Sequence, residues 1–283
     1  MIVVTGASGQ LGRLVVQGLR AKLPADQIVA AARSTDKAAG LGVEVRHADY
    51  NDPATLATAF AGADKVLLVS SNEVGNRVAQ HTAAVEAAKQ AGVRHLIYTS
   101  APKADDTALV LAPDHKATEE AIRASGLPYT FLRNGWYTEN YQEKIEQAVR
   151  DGSFAGSAGD GRIASATRAD YAEAAVAVLT TDGHEGKVYE LSGDQTWTYA
   201  DLADAIGAAA GRPVTYRNLT SDEHRAALVE AGLPAEVAGF VVALDGNTAD
   251  GLLGETSGDL RRLIGRPTTP YAETVAEIVK SVG

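Results

Sequence analysis

The sequence predicts an α/β protein that is built on a doubly wound parallel sheet and carries a smaller, mostly helical C-terminal lobe. In the first half of the chain, short runs rich in β-branched residues alternate with longer helical patterns, which is typical of βαβ units. In the second half, helical patterns dominate. The ligand of a doubly wound sheet lies beyond the carboxyl ends of the strands, so we expect functional residues there.

The predicted strands are short apolar runs. Six lie in the first half, at residues 1–5, 28–32, 43–46, 65–70, 95–99 and 129–133. A seventh run, at 187–191, is expected to return to the same sheet. Residues 151–161 are rich in Gly and Ser and are expected to form a loop or a hairpin.

The predicted helices follow the 3.6-residue period and have recognisable ends. Asp52 suits the N-cap of one helix, with Pro53 at its first position, and Thr198 suits the N-cap of another. The helix that begins at Thr198 is expected to span residues 198–210. Other helices are expected at residues 10–22, 74–91, 113–125, 168–181, 221–232, 234–244, 257–264 and 270–282.

These elements predict two units without a clean boundary. Residues 1–150 form the nucleotide-binding domain, whose sheet is completed by a strand near 187–192. Residues 151–283 form most of a substrate-binding lobe, and the chain crosses between the units more than once.

Composition excludes several classes of protein. The 283 residues carry a formal charge of −10, which argues against binding nucleic acid or an anionic membrane. The chain has no Cys, its six His include no H-x-x-x-H pair, and we therefore expect no metal site. No G-x-S-x-G motif marks a serine hydrolase. With no apolar run long enough for a membrane span and no room for a signal peptide before Gly6, a soluble cytoplasmic protein is expected.

A glycine-rich loop joins the first strand to the first helix, where a dinucleotide loop must stand. Its sequence is Thr-Gly-Ala-Ser-Gly-Gln-Leu-Gly from Thr5 to Gly12. Gly6 permits a tight turn, Gly9 lets a pyrophosphate approach the backbone, and Gly12 lets the helix pack closely. The predicted pyrophosphate-binding residues are Gly6, Ser8, Gly9, Gln10, Leu11 and Gly12. The G-x-x-G-x-x-G spacing resembles that of the short-chain dehydrogenase/reductase superfamily.

The residue after the second strand favours NADP(H) over NAD(H). An NAD site would place Asp or Glu there to bind the ribose, but this chain has Arg33. A guanidinium binds a 2′-phosphate and stacks on adenine; the alternative is a surface arginine on a loop.

Polar residues follow the next strands as well. Asp49 and Tyr50 stand where adenine contacts fall, although Asp49 could equally shape its loop. Ser70, Ser71 and Asn72 are expected along the nicotinamide ribose, and Ser100 ends the fifth strand.

The superfamily's usual catalytic pair, Tyr-x-x-x-Lys, is absent, because none of the ten Tyr has Lys four residues later. Lys116 stands where the motif's lysine belongs, and Ala112 stands where the phenol belongs. This argues against ordinary alcohol dehydrogenation and against sugar-nucleotide epimerisation. Lys116 remains a candidate ribose ligand or catalytic residue; the alternative is an exposed helix lysine.

Three segments together resemble the NmrA-like family of atypical short-chain reductases. They are the glycine loop, His-Lys-Ala-Thr-Glu at 115–119, and the run from Leu127 to Tyr141 that contains Leu-Arg-Asn-Gly-Trp-Tyr. Within that family the chain resembles the NAD(P)H:quinone oxidoreductase type 2 and triphenylmethane reductase group.

The resemblance implies two-electron reduction of a quinone or a cationic dye by NADPH, without flavin. It also implies that the turn from Asn134 to Tyr141 surrounds the nicotinamide, with Tyr137, Asn140 and Tyr141 near the hydride donor. Tyr137 joins Lys116 as a candidate catalytic residue, although core packing is the alternative for these aromatic residues. Arg168 falls where the family has a basic residue near the cofactor, or it is only a first-turn residue of its helix.

The missing phenol agrees with this chemistry, because a quinone is already electrophilic and its reduced anion takes a proton from water. Two alternatives stay open. One is an NAD(P)-binding redox sensor that regulates a protein partner. The other is an isoflavone-reductase-like or imine reductase that uses Lys116 alone. The expected partner is a small-molecule acceptor, and a homodimer is compatible with the sequence.

Overall fold

We describe a computed structural model of the chain, which covers residues 1–73 and 75–282. The described residues form nine strands: β1 (Ile2–Val4), β2 (Ile28–Ala32), β3 (Glu44–His47), β4 (Lys65–Leu68), β5 (His95–Ser100), β6 (Tyr129–Asn134), β7 (Ser153–Gly156), β8 (Lys187–Leu191) and β9 (Thr215–Asn218). They also form twelve α-helices: α1 (Gln10–Arg20), α2 (Thr35–Ala38), α3 (Pro53–Phe60), α4 (Arg77–Gln90), α5 (Ala112–Ser125), α6 (Gln142–Asp151), α7 (Arg168–Thr180), α8 (Tyr199–Ala210), α9 (Ser221–Glu230), α10 (Ala235–Ala249), α11 (Asp259–Ile264) and α12 (Tyr271–Val282).

Seven of these strands form one parallel sheet in the order β3-β2-β1-β4-β5-β6-β8. The strand order reverses between β1 and β4, which is the point where a doubly wound sheet opens a crevice for its ligand. The predicted fold class is therefore confirmed, and so is the return of residues 187–191 to the sheet.

Helices cover both faces of this sheet, as a buried parallel sheet requires. On one face, α1 and α7 pack directly on each other: a Cβ on Gly18 would lie 2.9 Å from Cγ2 of Val176. On the other face, Leu56 and Phe60 of α3 and Ala88 of α4 are completely buried against the strands. The five inner strands, β1, β2, β4, β5 and β6, thus bury residues on both faces, whereas the edge strands β3 and β8 carry charged residues.

A third core builds the C-terminal lobe. Trp197, Tyr199 and Ile206 are buried there together with Val275 of α12. The carboxylate of Asp245 on α10, itself buried, accepts hydrogen bonds from the Tyr199 hydroxyl at 2.6 Å and the Ser157 backbone N–H at 2.7 Å. This buried acceptor joins α10 to α8 and to the end of β7.

The lobe differs from the prediction in two places. Residues 142–151 form α6, which the sequence analysis did not predict. The predicted loop or hairpin at 151–161 contains β7, which pairs in parallel with β9 rather than with a neighbouring strand. A parallel pair needs a long crossover, so local turn signals cannot reveal it.

The helix ends follow the predicted chemistry. Asp52 accepts a hydrogen bond from the Ala54 N–H at the start of α3, and Thr198 forms a capping box with Asp201 at the start of α8. The helix expected at 74–91 runs from Arg77 to Gln90; its predicted first residue, Val74, lies outside the described residues. No helix in the described part of the chain has the length and apolar character that crossing a membrane requires.

The second half of the chain contributes to the main sheet as well as to the lobe, since α7 packs against α1 and β8 pairs with β6. The division at residue 150, with substrate binding assigned to the lobe, remains a prediction.

Candidate functional site

A cavity of about 700 Å³ opens at the carboxyl ends of the central strands. The structure brings most of the predicted site residues to its walls. These are Gly6, Ser8, Gly9, Gln10, Leu11, Gly12, Arg33, Asp49, Tyr50, Ser70, Ser71, Asn72, Ser100, Asn134, Tyr137, Asn140 and Arg168. Two other predicted residues, Lys116 and Tyr141, do not line this cavity.

The glycine loop forms the centre of the cavity floor. Gly6 has φ +60°, in the left-handed region that favours glycine. A Cβ on Gly12 would lie 2.4 Å from the carbonyl oxygen of Gly6, so no other residue fits there without moving the loop. Gly9 offers no side chain to cap α1, whose first turn carries no acidic residue. The positive end of the helix dipole is therefore available to an anion.

The end of the cavity beside β2, where the sequence predicts the adenosine, has both basic and acidic residues in its walls. Arg33 and Lys37 both line it, and Arg33 Nη1 lies 3.2 Å from Glu73 Oε1. The Arg33 side chain is 65% exposed, and an exposed ion pair of this kind contributes little to stability. Its guanidinium is therefore easily redirected to a phosphate.

A row of four aromatic rings lies beneath the cavity between the sheet and the helices; we call it the aromatic row. It consists of Tyr50, His81, Tyr98 and His115, with successive ring centroids 6.0, 5.3 and 5.9 Å apart. At one end, the Tyr50 hydroxyl lies 2.7 Å from the backbone oxygen of Val69. The row thus underlies strand ends on both sides of the glycine loop.

Hydrogen bonds fix the protonation state of His81. The Ser71 backbone N–H donates to His81 Nε2 at 2.9 Å, so Nε2 carries no proton. His81 Nδ1 must then donate to Thr118 Oγ1, which lies 2.9 Å away and itself donates a hydrogen bond to the Asp114 carbonyl oxygen at 2.8 Å. The row therefore positions the backbone that follows β4.

Burial keeps the histidines of the row uncharged. It is the main cause that lowers the pKa of both His81 and His115 to about 3, and the charge of Arg77 acts in the same direction. Burial also raises the pKa of Tyr98 well above its usual value. All of these side chains are neutral near pH 7.

The face of α5 that lines the cavity is offset by one residue from the face that the sequence predicted. Leu111 and His115, four residues apart, line the cavity. Ala112 is instead buried in the core of the lobe, and Lys116 is exposed, with its Nζ donating to the Asp105 carbonyl oxygen at 3.3 Å. The motif spacing pointed to positions 112 and 116; the helical face one residue earlier is the one that meets the cavity.

The turn after β6 brings four predicted residues together on one wall. The Tyr137 ring is covered by the Arg168 guanidinium at 4.8 Å, and its hydroxyl lies 3.2 Å from Asn134 Nδ2. Arg168 also donates to Asn140 Oδ1 at 2.7 Å. Burial raises the pKa of Tyr137, so its phenol is a poor acid.

Tyr141 packs in a hydrophobic core, which was the alternative to a position near the hydride donor. Its ring is buried edge-on against Trp197 at 4.9 Å and Tyr199 at 5.8 Å, inside the core of the lobe. It stabilises the turn from behind instead of facing the cavity.

A second cavity of about 190 Å³ adjoins the first and shares Pro102, Gly135 and Trp136 with it. Its walls come from the loop after β5, from the end of β8 and from the lobe near Leu252 and Leu253. Sequence reasoning missed this pocket, because residues more than a hundred positions apart form it.

A buried arginine holds the walls of this second cavity together. Arg133 Nε and Nη2 donate to the two oxygens of the completely buried Glu119 at 2.8 and 2.7 Å. Its Nη1 donates to Asp105 and to Glu190, each at 2.9 Å, and this lowers the pKa of Asp105. Ser100 also donates to Glu119, at 2.7 Å. The network fixes the loop after β5 against β6 and β8.

The cavity residues fit a bound dinucleotide. Asn134 Oδ1 and Gln80 Oε1, which both belong to cavity-lining residues, are buried without a hydrogen-bond partner among the described residues. Such atoms are costly to leave unpaired, and a polar ligand would satisfy them. Within residues 1–73 and 75–282, no cluster of acidic and imidazole side chains is arranged to hold a metal ion.

A family model described as NAD(P)H-binding matches residues 6–182. Quinone oxidoreductase 2 of Escherichia coli (strain K12) is 48% identical over 281 residues, which are 98% of this chain and 98% of the relative. An oxidoreductase of Aspergillus flavus with an NmrA-like family domain is 28% identical over 294 residues, covering 98% of this chain and 94% of its own.

Solved structures show the same similarity. An NADPH-dependent quinone oxidoreductase from Escherichia coli, complexed with NADPH, superposes with a TM-score of 0.95 at 48% identity, covering 98% of this chain and 99% of that one. Triphenylmethane reductase from Citrobacter sp., complexed with NADP(H), superposes with a TM-score of 0.94 at 42% identity, covering 98% and 100%.

The neutral histidines of the aromatic row predict a pH-dependent stability. An unfolded imidazole titrates near 6.5, whereas His81 and His115 titrate near 3 in the folded protein. Below pH 6.5 the unfolded state binds more protons, so stability is lost as the pH falls. We expect each of the two to remove about 2 kcal/mol by about pH 5.

Urea unfolding at neutral pH and near pH 5 measures this loss. His81→Gln keeps an acceptor for the Ser71 N–H and should remove about half of the pH dependence that the two residues cause. His47→Gln, a change at an exposed histidine, is the control. Equal pH dependence in the wild type and in His81→Gln would contradict the assignment.

Proposed function

The chain belongs to the NAD(P)H-binding family, on its NmrA-like side, and from this premise we propose that it is an NADPH-dependent reductase that transfers hydride directly to a quinone or a similar electrophilic aromatic acceptor, without flavin. The observation that carries the proposal is the pair of joined cavities. The larger has a glycine loop at its centre and Arg33 and Lys37 at one end, and the smaller meets it at Trp136.

The residues of the larger cavity divide the binding of NADPH between them. The start of α1 would hold the pyrophosphate through backbone N–H groups. Arg33, with Lys37 beside it, would hold the 2′-phosphate. The residues after β4 and the turn from Asn134 to Tyr137 line the nicotinamide half. When bound there, NADPH supplies the hydride.

The acceptor would lie where the two cavities meet. Leu109, Leu111 and Trp136 give this region apolar and aromatic walls, which suit a flat, poorly hydrated ring. Arg133 keeps the loop after β5 in place against this region through Asp105 and Glu190. The protein thus orients two rings and excludes water between them, which is what direct hydride transfer needs.

The structure supports the quinone class over the lysine-dependent alternatives. Lys116 faces solvent and is bonded to the Asp105 carbonyl oxygen, so it is poorly placed as an acid for an imine or a carbonyl substrate. The similarity to enzymes of the quinone oxidoreductase and triphenylmethane reductase type over nearly the full chain favours an enzyme over a redox sensor. A cytoplasmic location, the absence of nucleic-acid binding and a homodimer remain predictions.

We expect the purified protein to be colourless and to oxidise NADPH only when a quinone is added. Absorbance at the nicotinamide band, recorded with a panel of quinones and cationic dyes, measures this turnover, and a visible spectrum of the protein checks for flavin. NADPH binding without turnover on any acceptor would favour the sensor. A yellow protein that loses its activity when flavin is removed would contradict direct transfer.

We expect Arg33→Ala to weaken NADPH binding much more than NADH binding, because NADH loses only the stacking on adenine. A lost charged hydrogen bond costs roughly 1.5–3 kcal/mol, which is about a ten- to hundredfold loss in affinity. Titration calorimetry with both cofactors measures it. Arg94→Ala is the control, because Arg94 is also exposed and lies at the amino edge of the sheet, just before β5, where it pairs with Asp64 just before β4. Unchanged NADPH affinity in Arg33→Ala would show that Arg33 does not meet the phosphate.

A further inference from the structure

We propose that His115 is a catalytic residue: its Nε2–H donates a hydrogen bond to the acceptor oxygen as that oxygen gains negative charge. The proposal rests on the proposed function and adds to it the group that stabilises the reduced acceptor. In this role a neutral imidazole replaces the phenol that the chain lacks.

The first support is the direction in which the His115 ring faces. The residue is only 7% exposed, yet it lines the larger cavity. Its Nδ1 lies 2.8 Å from the Tyr98 hydroxyl. Among the described residues, Nε2 has no hydrogen-bond partner, and it is not one of the unpaired atoms enclosed by protein. Nε2 is therefore the ring atom that remains accessible from the cavity.

The second support is the tautomer. The Tyr98 side chain is completely buried, and its hydroxyl lies 2.8 Å from His115 Nδ1, with the hydroxyls of Ser70 and Thr118 also within reach. An imidazole nitrogen is a stronger hydrogen-bond acceptor than a hydroxyl oxygen, so we assign Nδ1 as the acceptor of the Tyr98 proton. A neutral imidazole that accepts at Nδ1 carries its proton on Nε2. Burial, together with the charge of Arg77, keeps the ring neutral by lowering its pKa.

The third support is the position along the cavity. Arg33 follows β2 and marks the adenosine end, so the nicotinamide end lies on the other side of the glycine loop, toward β5 and β6. Tyr98, which holds His115, belongs to β5. Leu111 on the same helical face and Trp136 after β6 also line this end. The donor therefore stands where the acceptor ring must enter.

The reaction that this donor assists balances without any charge change on His115. The quinone gains one hydrogen and two electrons as hydride, and the reduced nicotinamide is oxidised by the same two electrons. The product is a hydroquinone monoanion, whose oxygen the Nε2–H stabilises in a site of low dielectric constant. One proton from solvent then completes the hydroquinone, and His115 keeps its own proton.

Three variants separate a donor from a merely structural residue. His115→Ala removes the donor, whereas His115→Gln keeps an N–H donor on a side chain of similar reach. Glu120→Ala is the matched control, because it removes an exposed side chain from the outward face of α5. At saturating NADPH, we expect His115→Ala to lower kcat for quinone roughly 10²–10³-fold, the usual effect of removing one such donor. His115→Gln should recover most of this loss, and NADPH affinity should stay near that of the wild type in both.

A second readout does not depend on turnover. Pentafluorophenol, an acidic phenol that is ionised at neutral pH, imitates the product anion and is titrated into the protein with NADP⁺ while tryptophan fluorescence is followed. We expect at least about tenfold weaker binding in His115→Ala, with affinities close to the wild type in His115→Gln and Glu120→Ala.

Several outcomes would overturn the proposal. Wild-type kcat and wild-type phenolate affinity in His115→Ala would remove the donor role. If His115→Gln folds normally but behaves like His115→Ala in both readouts, the residue acts through packing. A large loss in Lys116→Ala without one in His115→Ala would restore the lysine alternative. If the wild type reduces no quinone, the proposed function fails, while the phenolate titration still tests whether His115 binds an anionic oxygen.

Discussion

The site depends on hydrogen bonds made by side chains that are buried beneath the carboxyl edge of the sheet. The backbone after β4 is held by His81, and the ring of His115 is held by Tyr98 of β5. A buried polar group is tolerated only when it is paired, so each of these contacts restricts the position of the group that it holds. The walls of the cavity are therefore positioned by the core and not by loops alone.

Two parts of the site are held in shape by different physical constraints. At the glycine loop the constraint is steric, because the Gly12 position lies against the Gly6 carbonyl and leaves no room for a side chain. Around the second cavity the constraint is electrostatic, because Arg133 fixes Glu119, Asp105 and Glu190 around one buried guanidinium. The steric constraint leaves space for a phosphate, and the electrostatic constraint keeps the second cavity open between the sheet and the lobe.

Sequence reasoning reached the parts of the molecule that local patterns encode. Strand runs, helix caps such as Thr198, and the glycine loop depend on neighbouring residues, and the structure reproduces their positions. The pairing of β7 with β9 and the second cavity depend on residues far apart in the chain, which no local pattern records. On α5 the motif spacing led to Lys116, but the helical face that reaches the cavity carries His115, and the two differ by a rotation of one residue.

The central claim is that hydride passes directly from NADPH in the larger cavity to an acceptor held where the two cavities meet. Stopped-flow oxidation of NADPH that carries deuterium at the transferred position tests it most directly, with acceptor present and absent. The account predicts that NADPH is stable on the protein alone, and that the reaction with quinone is slower for the deuterated cofactor. Oxidation of NADPH before any acceptor is added, or equal rates for the two cofactors in a single turnover, would contradict it.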